Sequence, residues 1–121
     1  MRAAAFTFVL SFSCPLKAMK TRREMLEEFV AQDPNDSFSR YALALELEKA
    51  SRPQEALPQL REVITRDPGY VAAYYHLGRL LAEVGLLEDA RDAYRRGLDA
   101  ATASGDRRAG SEMQEALEML E

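Results

Sequence analysis

The sequence predicts an all-α fold of about six helices stacked as antiparallel pairs. Three observations carry this. First, the chain repeats itself at an interval of 34 residues: Asp33-Pro34 returns as Asp67-Pro68, Leu43 as Leu77, Ala44 as Gly78, Leu47 as Leu81, Ala56 as Ala90 and Leu60 as Tyr94. The register holds through the turns, which chance similarity between two amphipathic helices does not produce. Second, apolar positions within each unit recur at helical spacing, so Leu43, Ala44 and Leu47 share one stripe. Third, Ala, Leu, Glu and Arg dominate while β-branched residues are sparse and Trp is absent, a mix that favours helix. With 47% hydrophobic and 30% charged residues in 121, the chain is globular and long enough for one domain.

Residues 1–18 differ from the rest. Arg2 precedes an apolar run from Ala3 to Phe12, then Ser13-Cys14-Pro15-Leu16-Lys17-Ala18. Three readings stay open: an upstream extension or disordered tail, a secretory signal, or an ordered segment. As a signal its cleavage end is poor, because Leu16-Lys17-Ala18 lacks two small residues in the right places, and Phe12 stands where a lipoprotein pattern wants a small residue before Cys14. Met19 then opens a stretch like an ordinary cytosolic N-terminus. A cytoplasmic location is expected, with a secreted or periplasmic one as the alternative if residues 1–18 are a signal. The repeat register begins near Thr21, so the leader is expected to contribute nothing to the fold of residues 19–121.

Residues 21–32 read as an N-terminal capping helix that matches the second half of a repeat, with Leu26 and Phe29 in register with Leu60 and Val63. Repeat 1 covers 37–70 and repeat 2 covers 71–104. Thr21-x-x-Glu24 and Ser51-x-x-Gln54 both have capping-box spacing, and Gly85 supplies the turn inside the second pair. Pro58 is awkward, about one turn into its helix, where it removes a hydrogen bond. Residues 106–121 form a C-terminal capping helix started by Asp106. Its Ala109, Met113, Ala116, Leu117 and Leu120 make one apolar stripe, while Glu112, Gln114, Glu115 and Glu118 face water. Such caps are needed, because two repeats cannot bury both ends of a stack.

The second unit, Tyr74-x-x-Leu77-Gly78-x-x-Leu81 followed by Ala90-x-x-x-Tyr94, resembles the tetratricopeptide repeat signature. The first is a looser copy: Arg40 stands where a large aromatic is usual, and Leu43-Ala44-x-x-Leu47, Ala56-x-x-x-Leu60 and Pro68 follow. Thr102 replaces the closing proline of the second unit, so the stack is expected to end there. The resemblance covers about residues 21–104. It implies a right-handed α-solenoid of antiparallel helix pairs whose first helices line a concave face. That motif is a packing rule and leaves the ligand open.

The inventory of reactive groups argues against an enzyme. His76 is the only histidine, and Cys14, the only cysteine, lies outside the repeats, so a Cys–His pair is improbable. No metal site is expected. Asp33-x-Asn35-x-Ser37 begins like a calcium loop, but Phe38 replaces the required glycine and Ala44 the closing glutamate. Asn35-Asp36-Ser37 is a glycosylation sequon by pattern alone. No glycine-rich phosphate loop occurs, and no cofactor is expected. The formal charge of −4 and the acidic neighbours of Arg22-Arg23, Arg95-Arg96 and Arg107-Arg108 argue against nucleic acid. No stretch of about 18 apolar residues would span a membrane.

What remains is protein recognition. The face opposite the packed stripe carries Phe38, Tyr41, Ala42 and Leu45 in the first unit and Ala72, Tyr75, His76 and Arg79 in the second. Family members that clamp a chaperone's C-terminal carboxylate use lysine and asparagine at matching places; Tyr41, Leu45 and His76 stand here, which makes that clamp doubtful. Phe38, Tyr41, Leu45, Tyr75, His76 and Arg79 are the candidate partner-binding residues, an aromatic and apolar groove with one arginine, suited to a helix or an extended apolar peptide. A homo-oligomer through this face, and simple burial of it within the chain, are the competing expectations.

Overall fold

The computed structural model describes residues 19–121, so Cys14 and the readings of the leader fall outside the described residues. Six helices follow in order: α1 Arg22–Gln32, α2 Ser37–Lys49, α3 Pro53–Arg66, α4 Val71–Glu83, α5 Leu87–Ser104 and α6 Arg107–Leu120. Each packs on the next, and α4 also meets α6. The result is a right-handed α-solenoid in which α2 pairs with α3 and α4 with α5. No described helix is long and apolar enough to cross a membrane.

The turns repeat as faithfully as the helices. Three helices, α2, α4 and α5, end in a left-handed residue whose successor donates its N–H five residues back. Arg52 N–H reaches the Leu47 carbonyl at 3.0 Å, Leu86 N–H the Leu81 carbonyl at 2.9 Å and Asp106 N–H the Ala101 carbonyl at 2.9 Å. The left-handed residues are Ser51 (φ 59°), Gly85 (φ 88°) and Gly105 (φ 75°), the arrangement of a glycine C-cap. Ser51 is therefore a helix terminator carrying about 1 kcal/mol of strain. It does not form the capping box expected with Gln54: α3 starts at Pro53 after Arg52 with no side-chain cap. The box at Thr21 does form, Thr21 Oγ1 accepting from Glu24 N–H at 3.1 Å and the Glu24 carboxylate from Thr21 N–H at 3.4 Å. Helix α3 runs unbroken through the exposed Pro58.

Between pairs, a buried side chain ties each first helix to the turn before it. Tyr74 Oη donates to the Pro68 carbonyl at 2.7 Å. Arg40, at the equivalent place, donates through Nη2 to the Pro34 carbonyl and through Nη1 to Gln59 Oε1, both at 3.0 Å. Arg40 is 9% exposed, so the guanidinium that departs from the usual aromatic repeats the tyrosine's bond from within the core.

The core forms where small residues let helices close. In the first pair Ala44 and Leu60 are both buried, as are Leu43, Leu47, Ala56, Val63 and Ile64. In the second pair Gly78 meets the Tyr94 ring: a Cβ there would lie 2.5 Å from Cε1 and 2.7 Å from Cδ1 and Cζ. A Cβ on Gly97 would lie 2.7 Å from Tyr74 Cβ and would collide with Met113 Sδ, so the hollow at Gly97 seats the fully buried Met113 of α6. Leu26 of α1 is buried, but Phe29 is 51% exposed, against the expectation drawn from its register with Val63. Val63 is covered by its own first helix; among the described residues α1 has no helix before it.

The Gly78–Tyr94 contact yields a paired test. Gly78→Ala should lower stability by about 1–2 kcal/mol, the overpacking term exceeding the gain in helix propensity. In a Tyr94→Leu background, which copies the Ala44 and Leu60 arrangement, the same change should be neutral or stabilising. Chemical denaturation of the four proteins measures the coupling; equal effects in both backgrounds would contradict the contact.

Candidate functional site

Packing turns the stripes of α2 and α4 toward α3 and α5, and the opposite side of the first helices faces outward. Helix α2 places Phe38, Tyr41, Leu45 and Glu48 along this side at steps of three and four residues, and α4 places Ala72, Tyr75, His76 and Arg79. Ala42, expected on the same face, is instead buried at 7% exposure; its short side chain lies inside the α2 packing surface, while His76 at the equivalent place reaches out.

The structure brings most of the candidate residues together. The Tyr41 ring lies 5.1 Å from Tyr70 and 5.5 Å from His76, edge to face with the imidazole. Tyr75 stands 5.8 Å from His76 on its other side and 6.2 Å from Tyr94. Tyr70, Tyr41, His76, Tyr75 and Tyr94 thus form a continuous aromatic row across three helices and one turn, in the offset and edge-on geometries that rings favour. Tyr41 and Tyr75 are half-buried against the core, so they support the helices as well as present their edges. Phe38 stands apart at 68% exposure, near the start of α2.

Two depressions flank His76. One, of about 360 Å³, lies between α2 and α4 and is lined by Leu45, Glu48, Lys49, His76 and Arg79. The other, of about 240 Å³, lies between α4 and α6 and is lined by Val71, Ala72, Tyr75, His76, Asp106, Ala109 and Glu112. Glu112 therefore faces the groove as well as water. Among the described residues no group of three or more His, Cys, Asp or Glu side chains is placed to hold a metal ion.

Arg79 is not the free cation that the sequence suggested. Its guanidinium is paired with the Glu48 carboxylate, which is only 17% exposed, and lies 3.3 Å from His76 Nδ1. Glu48 Oε2 is also 3.8 Å from that ring nitrogen. The pair withdraws Arg79 as a ready receptor for an acidic ligand, since breaking it would strand a half-buried carboxylate. Sequence reasoning missed Glu48, although it continues the spacing of Phe38, Tyr41 and Leu45 by one further step. It also gave Asp106 and Glu112 no part in the groove, because α6 read as a cap alone.

Burial holds the His76 imidazole below its ordinary range, and Arg79 adds to that shift while Glu48 opposes it. Burial likewise raises the Tyr41 and Tyr94 hydroxyls, so both stay neutral. Because the folded value of His76 lies below the unfolded one, its neutral form contributes stability that is fully present above about pH 6.5 and is lost as pH falls through the folded value. The single histidine makes this readable. Its Cε1–H resonance should titrate with a midpoint below about 6.5, and Arg79→Met should move that midpoint upward by removing a neighbouring cation. A midpoint above 6.5 in the unaltered protein would mean that Glu48 governs the site.

The sequence pattern of the tetratricopeptide repeat matches residues 41–105, more than half of the chain. A tetratricopeptide repeat-containing protein of Pseudomonas aeruginosa is 31% identical over 98 residues, covering 81% of this chain and 93% of the relative. In structure, the chain is similar to a tetratricopeptide repeat domain protein from Salinibacter ruber, with a TM-score of 0.70 at 40% identity across 74% of this chain and 90% of that one. PcrH, solved in complex with the chaperone-binding region of PopD, shares the fold at 14% identity, with a TM-score of 0.77 across 81% of this chain and 74% of that one. Repeat register, helix stack, matched pattern and near full-length relative agree: the chain belongs to the tetratricopeptide repeat family.

Proposed function

We propose that the protein is a non-catalytic interaction module that holds a segment of another protein in the groove formed by α2, α4 and α6. The observation that supports this best is the aromatic row with a depression on each side of His76. Rings that are half-buried in the scaffold lose little freedom when a partner covers them, which is why aromatic side chains serve as interface anchors. The single histidine turns Nδ1 to an ion pair, an environment suited to fixed structure rather than to proton transfer during a reaction. That a chain of the same fold, PcrH, was solved with a segment of another protein fits the reading. Partner-binding roles are assigned here to Phe38, Tyr41, Leu45, Tyr75 and His76, with Arg79 acting through its pairing to Glu48.

The half-buried tyrosines are poor probes, since their loss would loosen the helices. Phe38 and Ala72 are exposed, so Phe38→Ala together with Ala72→Arg should change stability by no more than about 0.5 kcal/mol. The first removes an anchor at the groove's edge and the second fills the depression beside Tyr75. Capture of a partner from native lysate, quantified by mass spectrometry, should fall at least about tenfold, while Thr65→Arg on the opposite side of the stack should leave it unchanged. Loss of capture with Thr65→Arg alone would move the binding surface to the outer helices.

A further inference from the structure

The depression between α4 and α6 differs in chemistry from the rest of the groove. It is lined by two aromatic rings, Tyr75 and His76, by the small or aliphatic Val71, Ala72 and Ala109, and by the two acidic residues Asp106 and Glu112. Among the described residues no lysine or arginine lines it. We propose that this depression receives a lysine or arginine side chain of the bound partner segment, an inference that rests on the groove reading above.

The argument is one of complementarity. A long basic side chain has an apolar stem and a charged head, and it buries the stem along apolar surface while the head finds a carboxylate or water. The small Ala72 and Ala109 leave room for the stem. The aromatic lining suits a cation–π contact, and the carboxylates suit charge-assisted hydrogen bonds. An acidic side chain would meet two like charges, and a purely apolar one would leave the carboxylates facing it.

The two carboxylates are not equivalent. Asp106 caps α6, its Oδ1 accepting from Ala109 N–H at 3.1 Å, and so it spends much of its charge on the partial positive end of that helix. Glu112 lies further along α6. Its one described partner is Arg108 Nε at 3.3 Å, on a side chain that is 91% exposed. A surface pair of this kind contributes little and yields readily to an incoming cation. Glu112 is therefore the carboxylate that meets the head group. The neighbouring cation, Arg79, is already engaged with Glu48, and Lys49 belongs to the other depression. The groove thus holds paired charges beside Leu45 and two carboxylates beside α6, which would orient a bound segment with its basic residue over α4 and α6.

The probes are three capped peptides, acetyl-Ala-Leu-Xaa-Leu-Ala-amide with Xaa lysine, norleucine or glutamate, titrated into the full chain and followed by the His76 Cε1–H resonance. The lysine peptide should bind about tenfold more tightly than the norleucine peptide, the glutamate peptide most weakly, and the lysine advantage should shrink with added salt. Glu112→Gln should abolish most of that advantage while leaving norleucine binding unchanged. Asp106→Asn, which keeps a competent cap, should reduce it less. Equal binding of the lysine and norleucine peptides, or a lysine preference that survives Glu112→Gln, overturns the basic-residue proposal while leaving the groove reading intact. If none of the three peptides moves the His76 resonance, both are contradicted.

Discussion

The whole arrangement depends on how closely the two helices of a pair can approach. Where Gly78 faces Tyr94, the absence of one methyl group lets a full aromatic ring lie against the α4 backbone. Where Gly97 faces Met113 and Tyr74, the same device seats α6 on α5. In the first pair the equivalent positions hold Ala44 and Leu60, both buried. The repeated register then sets α2, α4 and α6 beside one another, with the depressions that flank His76 between them.

Once the scaffold positions are satisfied, the outward positions are free to differ, and they do. Tyr41 and Tyr75 are equivalent and alike, holding one aromatic row through both repeats. Around them Phe38 is matched by Ala72, Ala42 by His76 and Leu45 by Arg79. The first repeat therefore presents apolar surface and the second presents polar and small residues. Glu48 then neutralises Arg79 across the repeat boundary. Two acidic groups on this face, Asp106 and Glu112, come from α6 and its N-cap. One side of α6 packs on α5 through Met113 while these residues line the groove.

Much of this was legible in the residues. The 34-residue register predicts the helices, the pairing and the stripe of Leu43, Ala44 and Leu47, because packing positions recur wherever the same helix pair must close. The solvent side was less legible, because register says where a residue points and not whom it meets. Arg79 read as a free cation, since its partner Glu48 lies 31 residues earlier on a neighbouring helix. Phe29 read as core by analogy with Val63, but among the described residues no helix precedes α1 to cover it, and it is exposed. Ser51 read as a cap for the next helix, although its counterpart Gly85 marks the position as a left-handed terminator. Arg40 read as a departure from the pattern, yet it makes the bond to Pro34 that Tyr74 makes to Pro68. Arg79 is decided by a contact distant in sequence, Phe29 by its place in the first described helix, and Ser51 and Arg40 by the turns beside them.

The central claim is that recognition occurs on the inner face of α2, α4 and α6 and not on the outer surface of α3 and α5. Site-specific photocross-linking tests it most directly. A benzophenone side chain is placed in turn at Ala72 and Leu45 on the inner face and at Thr65 and Asp92, which line the outer cleft between α3 and α5. The account predicts that irradiation in native extract joins the same partner to the two inner positions and to neither outer one. Cross-links from Thr65 and Asp92 with none from Ala72 or Leu45 would contradict it.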